Sequence, residues 1–174
     1  MSWIMMDVEA DGPAPGLYSM ASFGAVVVRE GLKDTFYSEI LRPLEGASHI
    51  PEAIAVSNIT RAQMMKGADP AQRMAEFVKW LNSVSDGKPM FVSDNNGFDW
   101  QYINWYLWKF TGDNPFGHSS TNLGSLFKGM EKTMFKNFKH LRKTAHTHNP
   151  VDDAVGNAEA LIAMKKMGLL ITLD

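Results

Sequence analysis

Trp3-Ile4-Met5-Met6-Asp7-Val8-Glu9 reads as a buried strand that ends in two acids. Four apolar residues in a row, with turn chemistry following closely, suit a strand covered on both faces. Successive side chains of a strand alternate, so Asp7 and Glu9 point to the same side. Two like charges on one face repel each other, and a cation between them relieves the repulsion. Acids at strand ends are also commonly just solvated, so Asp7-Val8-Glu9 alone leaves both readings open.

Outward from this strand, Asp11-Gly12-Pro13 and Pro15-Gly16 are turn chemistry. Residues 17–29, ending in Ala25-Val26-Val27-Val28-Arg29, read as a second strand. Glu30-Gly31 is a hairpin turn, and residues 35–41 alternate as a third strand. Residues 50–66 suit one or two short helices. Asp69-Pro70 opens a clear helix, with Asp69 as cap and Met74, Phe77, Val78 and Leu81 as its apolar stripe. Met90-Phe91-Val92 is a short strand, residues 98–110 an aromatic-rich helix, and residues 111–122 loop-like. Asn149-Pro150 opens the last helix, which runs to about Lys166. No internal repeat or interdomain linker interrupts the chain. Strands and helices in this order imply an α/β domain, a mixed sheet flanked by helices.

Two further acids sit at element edges. Asp99 follows Ser93-Asp94-Asn95-Asn96-Gly97-Phe98, so a strand, a polar turn and a first helical turn aim a carboxylate towards a cleft. Helix-dipole complementarity is the plainer explanation, and Asp94 is a rival at the same strand end. His148-Asn149-Pro150-Val151-Asp152-Asp153 is the sharpest local pattern. Asn149 caps, Pro150 takes the first position, and Asp152 stands where an acid reaches back to the cap's N–H. Asp153 lies about 100° further round the helix. Gly156, Asn157 and Ala160 continue its face as small residues, which permits close approach to a sheet. His148 precedes the helix, a place suited to a base. Four acids and one imidazole, scattered in sequence, are what two hard divalent cations and a general base require. That chemistry points to phosphodiester hydrolysis.

The chain has 174 residues, 45% hydrophobic and 21% charged, enough for one domain with its own core. It has no cysteine, which excludes disulfides, zinc-thiolate sites and thiol catalysis. A reducing, cytoplasmic setting is compatible and expected. No basic n-region precedes an apolar stretch, so a signal peptide is not expected. No apolar run approaches ~18 residues, so neither is a membrane span. The net charge of −2 is unevenly spread: residues 128–143 carry six Lys/Arg and one acid, leaving 11 Lys/Arg against 18 acids elsewhere. If residues 125–144 form a helix, Lys128, Lys132, Lys136, Lys139 and Lys143 fall within an arc of about 80°. Such a stripe suits a phosphate backbone, with a plain solvated face as the equal alternative and Gly129 a candidate break. Phe135, Phe138, Phe98, Trp100 and Tyr102 are candidates for base stacking or core; Trp105 and Trp108 read as core.

Taken together, the three acid-bearing patterns resemble the DEDDh 3'–5' exonucleases, which include polymerase proofreading subunits, RNase T and oligoribonuclease. Asp7-Val8-Glu9 matches the family's Asp-x-Glu motif. Asn95-Asn96-Gly97-Phe98-Asp99 matches its Asn-x-x-Phe-Asp, and His148 to Asp153-Ala154 its His-x-x-x-x-Asp-Ala. Ser57-Asn58-Ile59-Thr60 resembles the Gly-Ile-Thr segment near the 3'-terminal nucleotide. The resemblance runs over residues 3–165. A sister family places Tyr four before the last acid, which here is Asn149, so the histidine type is favoured. Ala10 stands for a usual Thr, Asp94 for a common His and Asn58 for a usual Gly; none removes a metal ligand.

The resemblance implies an RNase H-like fold, with a central mixed five-stranded sheet flanked by helices and one exonuclease domain over residues 1–174. It assigns Asp7, Glu9, Asp99 and Asp153 to two divalent cations, Mg²⁺ or Mn²⁺. His148 becomes the base, since an imidazole with a reference pKa of about 6.5 can be neutral at pH 7. Val8, Ala10, Ile59, Asn95, Phe98 and His148 would meet the substrate, a single-stranded 3' end of DNA or RNA, and the product would be a nucleoside 5'-monophosphate. Homodimers occur among relatives, so a homodimer stays open. Two rivals stand beside the enzyme: a catalytically silent nucleic-acid-binding module, and a metal phosphatase acting on small molecules.

Overall fold

The computed structural model describes residues 1–173. Its organising element is strand β1 (Ser2–Ala10), with β2 (Met20–Val27) antiparallel beside it and β3 (Thr35–Tyr37) outside β2. Two short helices follow, α1 (Pro51–Ala55) and α2 (Arg61–Met65), then α3 (Pro70–Val84). Strand β4 (Pro89–Ser93) pairs parallel to β1 and leads into α4 (Asn96–Thr111). Strand β5 (Ser120–Asn122) pairs parallel to β4, and α5 (Leu123–Met130), a 3₁₀ turn over Lys139–Leu141 and α6 (Pro150–Lys166) complete the chain. The sheet is five-stranded and mixed, in the order β3-β2-β1-β4-β5, as the resemblance implies.

Alternation along the strands divides the core. Ile4, Met6, Val8 and Ala10 of β1 join Phe23, Ala25 and Val27 of β2 under α3 and α4, against Met74, Phe77, Leu81, Tyr102, Ile103 and Tyr106. The opposite face carries Met5, Val26 and Val92 against Leu123 and Phe127 of α5 and Ala154, Ala158 and Leu161 of α6. The helix caps form as the sequence indicates. Asp69 Oδ1 accepts from Ala71 N and Gln72 N at 2.8 and 3.2 Å, and Asn149 Oδ1 from Val151 N and Asp152 N at 3.0 and 3.3 Å.

The structure departs from the sequence reading in several places. The third strand stops at Tyr37, because Glu39 turns into the left-handed region at φ 61° and breaks the ladder. The segment expected to be all loop contains β5. Ser-Thr-Asn carries no apolar signal, and it is a strand because the edge of β4 offers it backbone partners. The basic helix ends at Met130, and Lys132 has φ 52°. The five lysines therefore share no helix face; Lys139 sits on the 3₁₀ turn and Lys143 in the loop after it. Asp152 does not reach back to its cap. Asn149 N donates to Thr147 Oγ1 at 3.3 Å, and Asp152 Oδ2 accepts from the same hydroxyl. Trp108 is half-exposed rather than core, since Tyr102, Ile103, Tyr106 and Leu107 already form the buried stripe of α4. Among the described residues no helix is long and apolar enough to cross a membrane.

Candidate active site

Asp7 and Glu9 continue the face of β1 that carries Met5, the side that α6 covers. The parallel pairing of β1 with β4 runs only to Met5 opposite Val92, so both acids project past the carboxyl end of β4. Crevices outside the carboxyl ends of parallel strands are where α/β sheets place ligands. Asp99 arrives there from the first turn of α4, whose start is fixed by Asn95 O accepting from Phe98 N and Asp99 N at 2.8 and 2.9 Å. Asp99 Oδ1 then accepts from Val8 N at 3.2 Å, pinning the helix to the strand between the two acids.

Asp153 comes from the other layer. Gly24 lies opposite Asp7 in the β1–β2 register, and its bare Cα allows the first turn of α6 to settle on β2. The fully buried Asp153 carboxylate collects three donors, with a histidine ring beside it. Oδ1 accepts from Thr147 N at 3.0 Å and from Arg142 Nη2 at 3.2 Å; Oδ2 accepts from His148 N at 3.0 Å and lies 2.9 Å from His146 Nδ1. One carboxylate thus shapes the whole preceding loop, including His148 at φ 58°. That shape brings His148 Nδ1 to 3.9 Å from Glu9 Oε1.

Oxygens of Asp7, Glu9 and Asp153 lie within 4.8 Å of one another. Asp99 stands outside that trio but acts on it. Burial first, then Asp99, Glu9 and Asp153, hold the Asp7 carboxyl well above the usual range, while Arg142 pulls it down. Burial and Asp153 push Glu9 up to about 7. Burial pushes Asp99 up to about 8, against the lowering effect of Ser93 and the Val8 amide and with the help of Asp94 and Glu9. Asp99 Oδ2 is buried without a hydrogen-bond partner. A cluster of carboxylates costly to ionise, one oxygen of it unsatisfied, is a donor set matched to hard divalent cations.

The structure therefore brings all five predicted chemical residues to one strand end. It adds two that the sequence reading missed. Nothing local marks Arg142, which reaches Asp153 across Gly156; a Cβ there would stand 2.7 Å from Arg142 Nε. His146 could have been found from its two-residue spacing to His148.

The predicted substrate residues divide. Ala10 and Phe98 line an apolar groove of about 430 Å³ beside Glu9, with Gly12, Ile50 and Val56. Asn95 is exposed at the cap of α4, its side chain free of any capping bond. Val8 is buried, and its amide is taken by Asp99. Ile59 is buried with Ile54 and Met64 and borders the neighbouring groove instead. Tyr102 and Phe138 are core, Trp100 packs on Phe91 at 5.0 Å, and Phe135 is fully exposed.

Comparison with known proteins finds exonucleases. The model of an exonuclease family, that of RNase T, matches residues 4–161. The 3'–5' DNA exonuclease Cap18 of Escherichia coli is 32% identical over 182 residues, covering 99% of this chain and 96% of its own length. The nuclease domain of 3'hExo, a DEDDh family member solved with rAMP, superposes with a TM-score of 0.77 at 16% identity, over 99% of this chain and 96% of that one. Cell-death related nuclease 4 superposes with a TM-score of 0.74 at 18% identity; 96% of this chain is covered, and it spans 64% of that protein.

Proposed function

This chain belongs to the RNase T exonuclease family, DEDDh type, and we propose that it removes nucleotides one at a time from the 3' end of single-stranded nucleic acid. The observation that carries the reading is the meeting of Asp7, Glu9 and Asp153 within 4.8 Å, with Asp99 pinned beside them and His148 at their rim. Asp7, Glu9, Asp99 and Asp153 would hold two divalent cations, Mg²⁺ or Mn²⁺. When bound, these would make a water more acidic and neutralise charge on the departing oxygen.

The protein's own residues supply the rest. His148 takes the proton of the attacking water; its ring is partly exposed and can pass that proton to solvent. The water oxygen bonds to phosphorus, the bond to the 3'-oxygen breaks, and that oxygen takes a proton from solvent. A nucleoside 5'-monophosphate leaves, and the shortened strand keeps a 3'-hydroxyl. Arg142 and the amides of Thr147 and His148 hold Asp153 in place throughout. Phe98, Ala10 and Ile50 offer the terminal base an apolar wall, where stacking is worth about 1–3 kcal/mol. DNA is the favoured substrate, because the relative that covers nearly the whole chain is named a DNA exonuclease.

The test follows products from matched single-stranded DNA and RNA labelled at the 5' end, with Mg²⁺, Mn²⁺ or chelator. A metal-dependent ladder descending from the 3' end, faster on DNA, supports the reading. Binding without any shortening would replace it with a silent nucleic-acid-binding module.

A further inference from the structure

The loop that presents His148 to the acids carries a second set of donors. His146 Nδ1 stands 2.9 Å from Asp153 Oδ2, the His146 and His148 ring centroids are 4.4 Å apart, and ligand atoms of His146, His148 and Asp153 all lie within 4.8 Å of one another. Asp153 is a fixed anchor, fully buried and held by Arg142 and two backbone amides. The two imidazoles are 51% and 41% exposed, so both can turn on their χ angles and an ion can enter from solvent.

We propose that His146, His148 and Asp153 form a binding site for a borderline divalent cation such as Zn²⁺, distinct in donor chemistry from the all-oxygen trio and mutually exclusive with it through Asp153. Imidazole nitrogen suits Zn²⁺, Co²⁺, Ni²⁺ and Cu²⁺, whereas carboxylate and water suit Mg²⁺ and Mn²⁺. Two imidazoles and a carboxylate with a water in the fourth position make an open tetrahedral set. Around an ion with bonds of about 2.0–2.1 Å such donors stand about 3.3 Å apart. Contraction from the present spacing can draw on rotation of two partly exposed rings. An ion seated there occupies one acid of the trio and the imidazole nearest Glu9. Zn²⁺ would therefore suppress Mg²⁺-driven turnover by taking Asp153 and His148 away from it.

The test uses Zn²⁺ alone on the tag-free protein, without nucleic acid, so that it reports independently of the exonuclease reading. Zn²⁺ affinity is measured by competition with a chromogenic chelator for the wild type, His146→Ala and Asp7→Asn. The site predicts at least a tenfold weaker affinity in His146→Ala and an unchanged affinity, within threefold, in Asp7→Asn. The reverse pattern, with His146→Ala binding as the wild type does and Asp7→Asn failing, would place Zn²⁺ at the acids and overturn the proposal. Nitrogen NMR of the wild-type imidazoles needs no variant. Zn²⁺ should shift the ring nitrogens of His146 and His148 and leave His49, His118 and His140 in place; unmoved His146 and His148 resonances would equally overturn it.

Discussion

Gly24 touches Pro150: a Cβ at position 24 would stand 2.4 Å from the Pro150 carbonyl carbon and 2.5 Å from Val151 N. This contact sets how closely α6 lies on β2, and so how far Asp153 reaches towards Asp7 and Glu9. Gly24→Ala should push the helix outward. A displacement near 1 Å is worth about 100-fold in rate, and the overpacking costs about 1–3 kcal/mol. Turnover on an oligonucleotide, with thermal unfolding alongside, checks both. Wild-type turnover in this variant would mean that the Gly24–Pro150 contact does not position Asp153.

Asp7→Asn separates stability from activity. The Asp7 carboxyl is raised by burial and by Asp99, Glu9 and Asp153, so its ionised form is a strain on the metal-free fold. The amide removes that strain and one cation ligand together. Without metal the variant should melt higher than wild type, by about 2–4 °C for each kcal/mol relieved. It should show no cleavage, and Mg²⁺ should no longer raise its melting temperature as much. A variant that melts lower without metal would contradict the electrostatic account.

The same carboxyls set a pH dependence. Asp7, Glu9 and Asp99 all bind protons more tightly folded than unfolded, Glu9 up to about 7 and Asp99 up to about 8. Between the unfolded values, near 4, and these, the native state holds more protons than the unfolded chain. Stability contributed by the three groups is therefore complete at low pH and lost as pH rises to about 8. The melting temperature of chelator-treated protein should fall from pH 5 to pH 8. Mg²⁺ or Mn²⁺, which bind the ionised acids, should restore it more at pH 8 than at pH 6. A metal increment independent of pH would count against the cluster as the binding site.

Arg142→Met tests the buried cation. The Arg142 and Asp153 side chains are 8% and 1% exposed, and the guanidinium lowers the Asp7 carboxyl pKa. Breaking a buried pair from one side costs about 3–5 kcal/mol. The lower end applies here, because two backbone donors remain on Asp153. Urea denaturation measures it, and a loss under 0.5 kcal/mol would show that the pair is not structural.

How much of this was legible in the sequence follows from how local each signal is. Alternation along β1 placed Asp7 and Glu9 on one face, and the Asn149 cap with Pro150 fixed the start of α6 within a residue, because strand period and helix capping act over two to four residues. The fifth strand was invisible from its own residues, since Ser120-Thr121-Asn122 pairs only because β4 has a free edge. The basic helix failed for the opposite reason. Lysine spacing imitated a helix face, but the run of apolar contacts that holds this helix ends at Met130. In the site, the motif residues were readable and their supports were not. Arg142 reaches Asp153 only by lying across Gly156. Ile59 matched a family segment, yet its side chain is buried with Ile54 and Met64.

The central claim is that four acids and His148 act together on a phosphodiester at a 3' end. The most direct measurement is a time course on 5'-labelled single-stranded DNA in Mg²⁺, comparing wild type, Asp7→Asn and His148→Ala as folded proteins of equal purity. The account predicts a 3'-to-5' ladder for wild type, none for Asp7→Asn, and for His148→Ala a turnover lowered about 10²–10⁴-fold with Mg²⁺ binding largely kept. Full cleavage by clean Asp7→Asn protein would contradict it.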